Sequence, residues 1–408
     1  MLSSSQSFLL RCLSDFLKGV DTDKVLEARG AEIDWTAIFE TAIDQSLEGI
    51  IYYQCRKFLP PKIKRKYLKH YLGNAAASFE REKTVREMVP RLEEQGVKVI
   101  FMKGAVFRDY YPIPALRSMG DIDFLIRPED REKTDRILRS DMGFERFIDN
   151  PAVWTYWKGK IYIEVHDHMF YENLSNNVDY RSYFDGIWEH CHKGQVFGFS
   201  SDSILVPDEE LHYLYLIAHT AKHVADKGNG LRGYMDMTAI RTASTEMDWS
   251  HIEGELAMLS LLTFTRTCMS LCERWFGTEM PMRLEEPDEA FLEKVTEKTF
   301  RDGAFGLKNE DNAGAVTAKE IRRTGAPYIF GAVRRLADKI FPSYAVMRLI
   351  PWYSFLDGRP WLLPFAWIYR WVYCAARKAG HSLGILSEPF ARKTDIKERQ
   401  EYLAKWGL

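Results

Sequence analysis

Two carboxylates stand one residue apart in a run of strand formers, Asp121-Ile122-Asp123-Phe124-Leu125-Ile126. Alternate residues of a strand share a face, so Asp121 and Asp123 point together while Ile122 and Phe124 point into sheet packing. Paired carboxylates behind a glycine (Gly120) are costly to pack without a cation. Magnesium, a hard ion, takes a few carboxylates plus phosphate oxygens, and a pair of ions can clamp both sides of a displacement at phosphorus. The chemistry that this pattern serves is phosphoryl or nucleotidyl transfer. A second run, Ile161-Tyr162-Ile163-Glu164-Val165-His166, alternates in the same way and sets Tyr162, Glu164 and His166 opposite three apolar residues. If its strand neighbours the Asp strand, Glu164 is the third carboxylate, able to ligate a metal and to orient or deprotonate an attacking hydroxyl. Upstream, Gly104 permits close approach of backbone N–H groups to phosphate, and Lys103 and Arg117 flank the site as cations for developing charge.

The histidines admit competing readings. His219 and His223 lie four apart on an expected helix and share a face, which serves either helix packing or contact with a nucleotide or acceptor at a cleft. Zinc is a weak reading for these two and the His166, His168 pair, because no spacing ties the groups together. His190-Cys191-His192 reads as a loop. Lys222, Arg232 and Asp236 are weaker candidates, since helical surfaces are normally charged.

These groups need elements to position them. Short β-rich runs at Val97–Phe101, Asp121–Arg127, Val153–Trp157 and Ile161–His166, with a helix expected from Glu129 to Met142, fit a small α/β unit; another strand pair is expected near Gln195–Phe199 and Ile204–Val206. Before it, Phe8, Leu9, Cys12, Leu13, Phe16 and Leu17 recur at helical spacing, as do Ile38, Phe39, Ala42 and Ile43, and a charged helical pattern runs from Lys62 toward Pro90 and Gly96. After it, Pro207-Asp208-Glu209-Glu210 opens a helix, and helices are expected over Tyr234 to Ser244, Asp248 to Trp275 and Pro287 to Arg301. Arg301 to Ala326 reads as a loop or boundary. The expected division is a helical segment over 1–95, a catalytic unit over 96–206, a helical unit over 207–300 and an aromatic-rich helical region over 301–408.

At 408 residues the chain is long for one hydrophobic core. A formal charge of −2 argues against wholesale binding to nucleic acid or anionic membrane, so polyanion contact falls to a local patch. Six scattered cysteines without a C-x-x-C pair read as reduced thiols. The opening Met1 to Leu10 has no basic lead and too short an apolar run for export, so a cytoplasmic setting is expected. The uncharged run from Pro360 to Tyr369 is too short to span a bilayer; its Trp, Tyr and Arg neighbours suit a membrane surface, but such residues more often pack against the rest of a protein, and packing is the expectation.

With the motifs in place, the sequence resembles the polymerase-β-like nucleotidyltransferase superfamily, whose pattern is a strand, a Gly-Ser turn, a helix, an Asp-x-Asp strand and a later acidic strand. More closely, Lys103-Gly104-Ala105, Tyr111-Pro112, Arg117-Ser118-Met119-Gly120-Asp121-Ile122-Asp123, Arg127-Pro128-Glu129-Asp130 and Gly143-Phe144 resemble a largely uncharacterised nucleotidyltransferase family within it. The likeness continues through His219-x-x-x-His223, Leu231-Arg232 and Asp236, and loosely through Phe341-Pro342 and Leu362-Leu363-Pro364. It departs from the wider superfamily at Ala105, where a serine is usual. The resemblance implies an α+β fold with a mixed sheet, flanked by N-terminal helices and a helical C-terminal half. It implies transfer of an NMP group from an NTP to an acceptor, with Mg²⁺ or Mn²⁺ at Asp121, Asp123 and Glu164, and with Lys103, Gly104, Arg117, His219 and His223 contacting the nucleotide. The acceptor is expected to be a small molecule or peptide rather than nucleic acid. The alternative is a catalytically idle nucleotide-binding or scaffold protein.

Overall fold

The computed structural model describes residues 2–22, 33–150, 153–171, 174, 178–226, 228–244, 246–304, 306, 340–347, 351–356, 358–377 and 393–408. Helices α1 (Ser4–Leu17), α2 (Trp35–Asp44), α3 (Glu48–Cys55) and α4 (Pro61–Glu94) come first. Pro61 sits at the first turn of α4, where its missing N–H is no loss, and Gly96 closes the helix with a positive φ of 70°. On α4, Val85, Met88, Val89 and Leu92 are all fully buried at the spacing of one helical face.

That face covers one side of a mixed seven-stranded sheet: β1 (Val99–Phe101), β2 (Ile122–Leu125), β3 (Glu145–Asn150), β4 (Val153–Lys158), β5 (Ile161–His166), β6 (Cys191–Val196) and β7 (Phe199–Pro207), in the order β3-β4-β5-β2-β1-β7-β6. Between β1 and β2 lies the short α5 (Gly104–Phe107), and between β2 and β3 lies α6 (Arg131–Arg136). The pairs β2–β5 and β1–β7 are parallel, while β1–β2, β3–β4, β4–β5 and β6–β7 are antiparallel. Period-two alternation splits the apolar residues cleanly. Val99, Phe101, Ile122, Phe124, Ile163 and Val165 join the core under α4, whereas Ile100 and Leu125 join a second, larger core built with the helical half.

The helical half comprises α7 (Tyr180–Phe184), set before β6 in the chain, and then α8 (Glu209–Asp226), α9 (Leu231–Ala243), α10 (Trp249–Met258), α11 (Leu262–Phe276) and α12 (Glu289–Asp302). Four sequence expectations change. The single helix expected over Asp248–Trp275 breaks between α10 and α11, where Ser260 takes a left-handed φ of 55°. The helix expected over Glu129–Met142 is a 3₁₀ turn at Pro128–Asp130, then α6, then a π-type turn at Ile137–Asp141. His190-Cys191-His192 is no free loop, because Cys191 and His192 pair with Pro207 and Val206 as β6 begins. Strand β3 is an addition. Three further helices, α13 (Tyr344–Met347), α14 (Leu363–Arg377) and α15 (Lys393–Trp406), lie in the C-terminal region. Most of the expected loop at Arg301 to Ala326 lies outside the described residues.

Candidate active site

The alternation that sorts the two cores also aims the acidic residues. Parallel pairing sets Asp123 opposite Glu164 and Leu125 opposite His166, on the sheet face turned toward the helical half. Asp123 is 3% exposed and His166 5%. His166 Nε2 lies 3.2 Å from Asp123 Oδ1 and 3.5 Å from Glu164 Oε2, so the histidine belongs to the carboxylate cluster. Ligand atoms of Asp123, Glu164 and His166 all fall within 4.8 Å of one another. The buried Nδ1 of His166 has no hydrogen-bond partner among the described residues. Asp121, half-buried one residue ahead of β2, faces this cluster: repulsion from Asp123, then burial and Glu164, push its carboxyl up to about 7. Asp123 moves the other way. Burial disfavours its charge, but Lys103 and His166 outweigh that and hold it below the usual carboxylate range.

Lys103 supplies the counter-charge from the end of β1. Its Nζ is 2.5 Å from Asp123 Oδ1 and 4.0 Å from Glu164 Oε2. The backbone pays for this reach with a left-handed φ of 51°, held in part by the Lys103 N–H donating to His212 Nε2 at 3.1 Å. Gly104 follows, and its lack of a Cβ leaves room for the Arg117 guanidinium and the Met119 side chain to lie against the turn. Arg117 itself is pinned from α9: its Nε and Nη2 donate to Asp236 Oδ1 and Oδ2 at 3.1 and 2.7 Å, and Tyr111 Oη donates to the same carboxylate at 2.7 Å. Ala105 is buried in the apolar core beneath the sheet, so a serine hydroxyl there would face the core rather than a phosphate.

A cleft of about 550 Å³ opens at this cluster. Lys103, Gly104, Arg117, Asp121, Asp123, Glu164, His219 and His223, the eight residues singled out from sequence, all line it. Their partners differ. Lys103 faces the carboxylates directly, while Arg117 is engaged by Asp236 and braces the turn. The His219 and His223 rings meet edge to face with centroids 4.4 Å apart on the helical wall, and burial keeps His219 neutral well below its ordinary range. Sequence reading underweighted three contributors. His166 carries a signal, its alternation with Glu164. So does the turn into α9, Gly228-x-Gly230-x-x-Gly233, of which Gly228 and Gly233 line the cleft. Tyr215, buried on α8 and also lining the cleft, carries no such signal.

His212 gives a pH signature to this architecture. It is 2% exposed, stacks on Phe107 with centroids 4.1 Å apart, and burial pushes it down to about 3. Below an ordinary histidine value near 6.5 the unfolded chain takes up a proton that the folded chain refuses. Stability therefore falls as pH drops from about 6.5 toward 3, by up to about 1.4 kcal/mol per pH unit. His212→Gln keeps an acceptor for the Lys103 N–H and removes the titration, so its melting temperature should fall less than the wild type's between pH 7.5 and 5. Equal slopes would mean that His212 does not carry the acid sensitivity.

A family model described as an uncharacterised nucleotidyltransferase matches residues 31–277, a span holding the whole sheet and α8 to α11. No curated protein and no solved structure matches the chain.

Proposed function

The chain belongs to the uncharacterised nucleotidyltransferase family, and from that premise we propose that it moves an NMP group from a nucleoside triphosphate to an acceptor, releasing pyrophosphate. The observation that carries the reading is the convergence of Asp123, Glu164 and His166 within 4.8 Å in a cleft that also holds Lys103 and Asp121. Two carboxylates and an imidazole are a donor set that fits a divalent cation, Mg²⁺ or Mn²⁺, with Asp121 beside it. When bound, the cation supplies charge stabilisation at the phosphates. The chain's own groups do the rest. Lys103 holds a positive charge against Asp123 where phosphate charge develops, and Glu164, about a third exposed at its side chain, accepts the proton of the acceptor group. The helical wall bearing His219, Lys222, His223 and Arg232 orients the triphosphate and excludes water. A small molecule or peptide is the acceptor class that a formal charge of −2 favours over nucleic acid.

Parallel incubations with α-labelled and γ-labelled triphosphates test the reaction. Label from the α position should enter an acceptor and label from the γ position should leave as pyrophosphate. Transfer of the γ label would replace this reading with a kinase. The idle alternative draws support from Lys103, whose ammonium already neutralises Asp123. Saturable nucleotide binding, with no turnover under Mg²⁺ or Mn²⁺ across an acceptor screen, would establish that alternative.

The histidine in the donor set makes a separate prediction. Imidazole favours first-row transition ions over magnesium, so Mn²⁺ should raise the melting temperature more than an equal concentration of Mg²⁺. His166→Gln should weaken Mn²⁺ about tenfold or more and remove that preference. An unchanged Mn²⁺ shift in the variant would take His166 out of the site.

A further inference from the structure

The C-terminal region leaves a second apolar surface that the transfer chemistry does not use. It lies beyond residues 31–277, the span shared with the family. Helix α14 already has a covered face: Ala366 is fully buried and Trp367 packs beside it in a small core with Met347, Tyr353 and Leu356, and the Trp367 indole donates to the Pro342 carbonyl at 2.9 Å. The helix nonetheless presents another apolar stripe. Phe365, Ile368, Tyr369 and Val372 stand at i, i+3, i+4 and i+7, with Trp361 one turn earlier, and Trp361, Phe365 and Val372 are 68%, 63% and 64% exposed. Sequence reading expected these side chains to pack against the protein; in the structure they face outward.

Charge argues for what meets them. No Asp or Glu stands between Asp357 and Glu388, while Arg359, Arg370, Arg377 and Lys378 do. Arg359 is exposed at the head of the helix. A chain of almost balanced charge thus concentrates basic residues and Trp and Tyr rings on one stretch, the composition of a helix that lies in the headgroup zone of an anionic bilayer. No helix of the described residues is long and apolar enough to cross a membrane. We infer that the Trp361–Val372 face docks the protein on the surface of an anionic lipid membrane, with the stripe seated among acyl chains and Arg359 at the phosphates. The inference is independent of the transfer reaction.

Co-sedimentation of the full chain with vesicles tests it, using phosphatidylcholine alone and phosphatidylcholine mixed with phosphatidylglycerol. The wild type should bind the mixed vesicles at least about tenfold more tightly than the neutral ones and weaken with added salt, and its tryptophan emission should shift to the blue on binding. Phe365→Ser with Val372→Ser should cut binding about tenfold or more, and Arg359→Glu, which leaves the stripe intact, should lower the mixed-vesicle binding alone. Both variants change exposed side chains, and an unchanged far-ultraviolet spectrum and melting temperature would verify the fold. Failure of the wild type to sediment overturns the inference, as does equal binding to neutral vesicles. Self-association abolished by the serine variant, without vesicle binding, would assign the face to a second copy instead.

Discussion

Asp121→Asn and Asp123→Asn are each expected to lower metal-dependent nucleotidyl transfer by about 100-fold or more, while their melting temperatures move in opposite directions. The divergence follows from how the cluster is charged. Asp123 is buried between a lysine at 2.5 Å and a histidine at 3.2 Å, so its neutralisation leaves the Lys103 ammonium buried without its nearest partner, at a cost of about 3–5 kcal/mol. Asp121 is on the losing side of the same field. Asp123, burial and Glu164 all disfavour its charge and push it up to about 7. In metal-free protein an unfolded Asp121 ionises near pH 4 and the folded one only near pH 7, so folding loses stability as pH rises through that window. Asp121→Asn removes the loss. In chelator its melting temperature should exceed the wild type's by an amount that grows between about pH 4 and 7 and is flat above. A residue that merely held the fold together would lose stability along with activity. Full transfer by either variant would remove that carboxylate from the reaction, and a lower melting temperature for Asp121→Asn at pH 8 would contradict the charge balance described.

What was legible in the sequence is local and periodic. The alternation Ile161, Ile163, Val165 against Tyr162, Glu164, His166 told which side chains share a face, and the same rule applied to Asp121 and Asp123. Strand adjacency was a conjecture in sequence, and the β2–β5 register makes it concrete. What stayed hidden is tertiary. Arg117 and Asp236 are 119 residues apart; in sequence the first reads as a phosphate cation and the second as an ordinary helix charge, and they meet only when α9 packs against the segment between α5 and β2. Lys103 reads as a phosphate cation in sequence. Its positive φ, set by strand pairing on one side and His212 on the other, swings it onto Asp123. The break at Ser260 was invisible because a left-handed serine carries no compositional signal, whereas glycine at the same point would have announced it. His166 shares the alternation of Glu164, and only the β2–β5 register brings its ring within 3.2 Å of Asp123.

The Arg117–Asp236 pair should prove a structural liability of the same size as Asp123. The two side chains are 8% and 3% exposed, and both oxygens of Asp236 are engaged by Arg117, with Tyr111 as a third donor. Asp236→Ala would strand a buried guanidinium and a buried phenol, a loss of about 3–5 kcal/mol. Asp236→Asn keeps an acceptor for Tyr111 and should lose less. Removing both partners relieves the stranded charge, so Arg117→Met with Asp236→Ala should be less destabilised than the two single changes summed, a coupling of about 1–3 kcal/mol in denaturant unfolding. Function should follow geometry. With the Arg117 guanidinium no longer held against Gly104, the turn that aims Lys103 should loosen. Asp236→Asn should therefore raise the KM for triphosphate more than it lowers kcat, since the carboxylate holds a positioning group and touches no reacting atom. Additive unfolding energies would show that the two residues act separately, and a kcat loss matching that of Asp123→Asn would move Asp236 into the reaction itself.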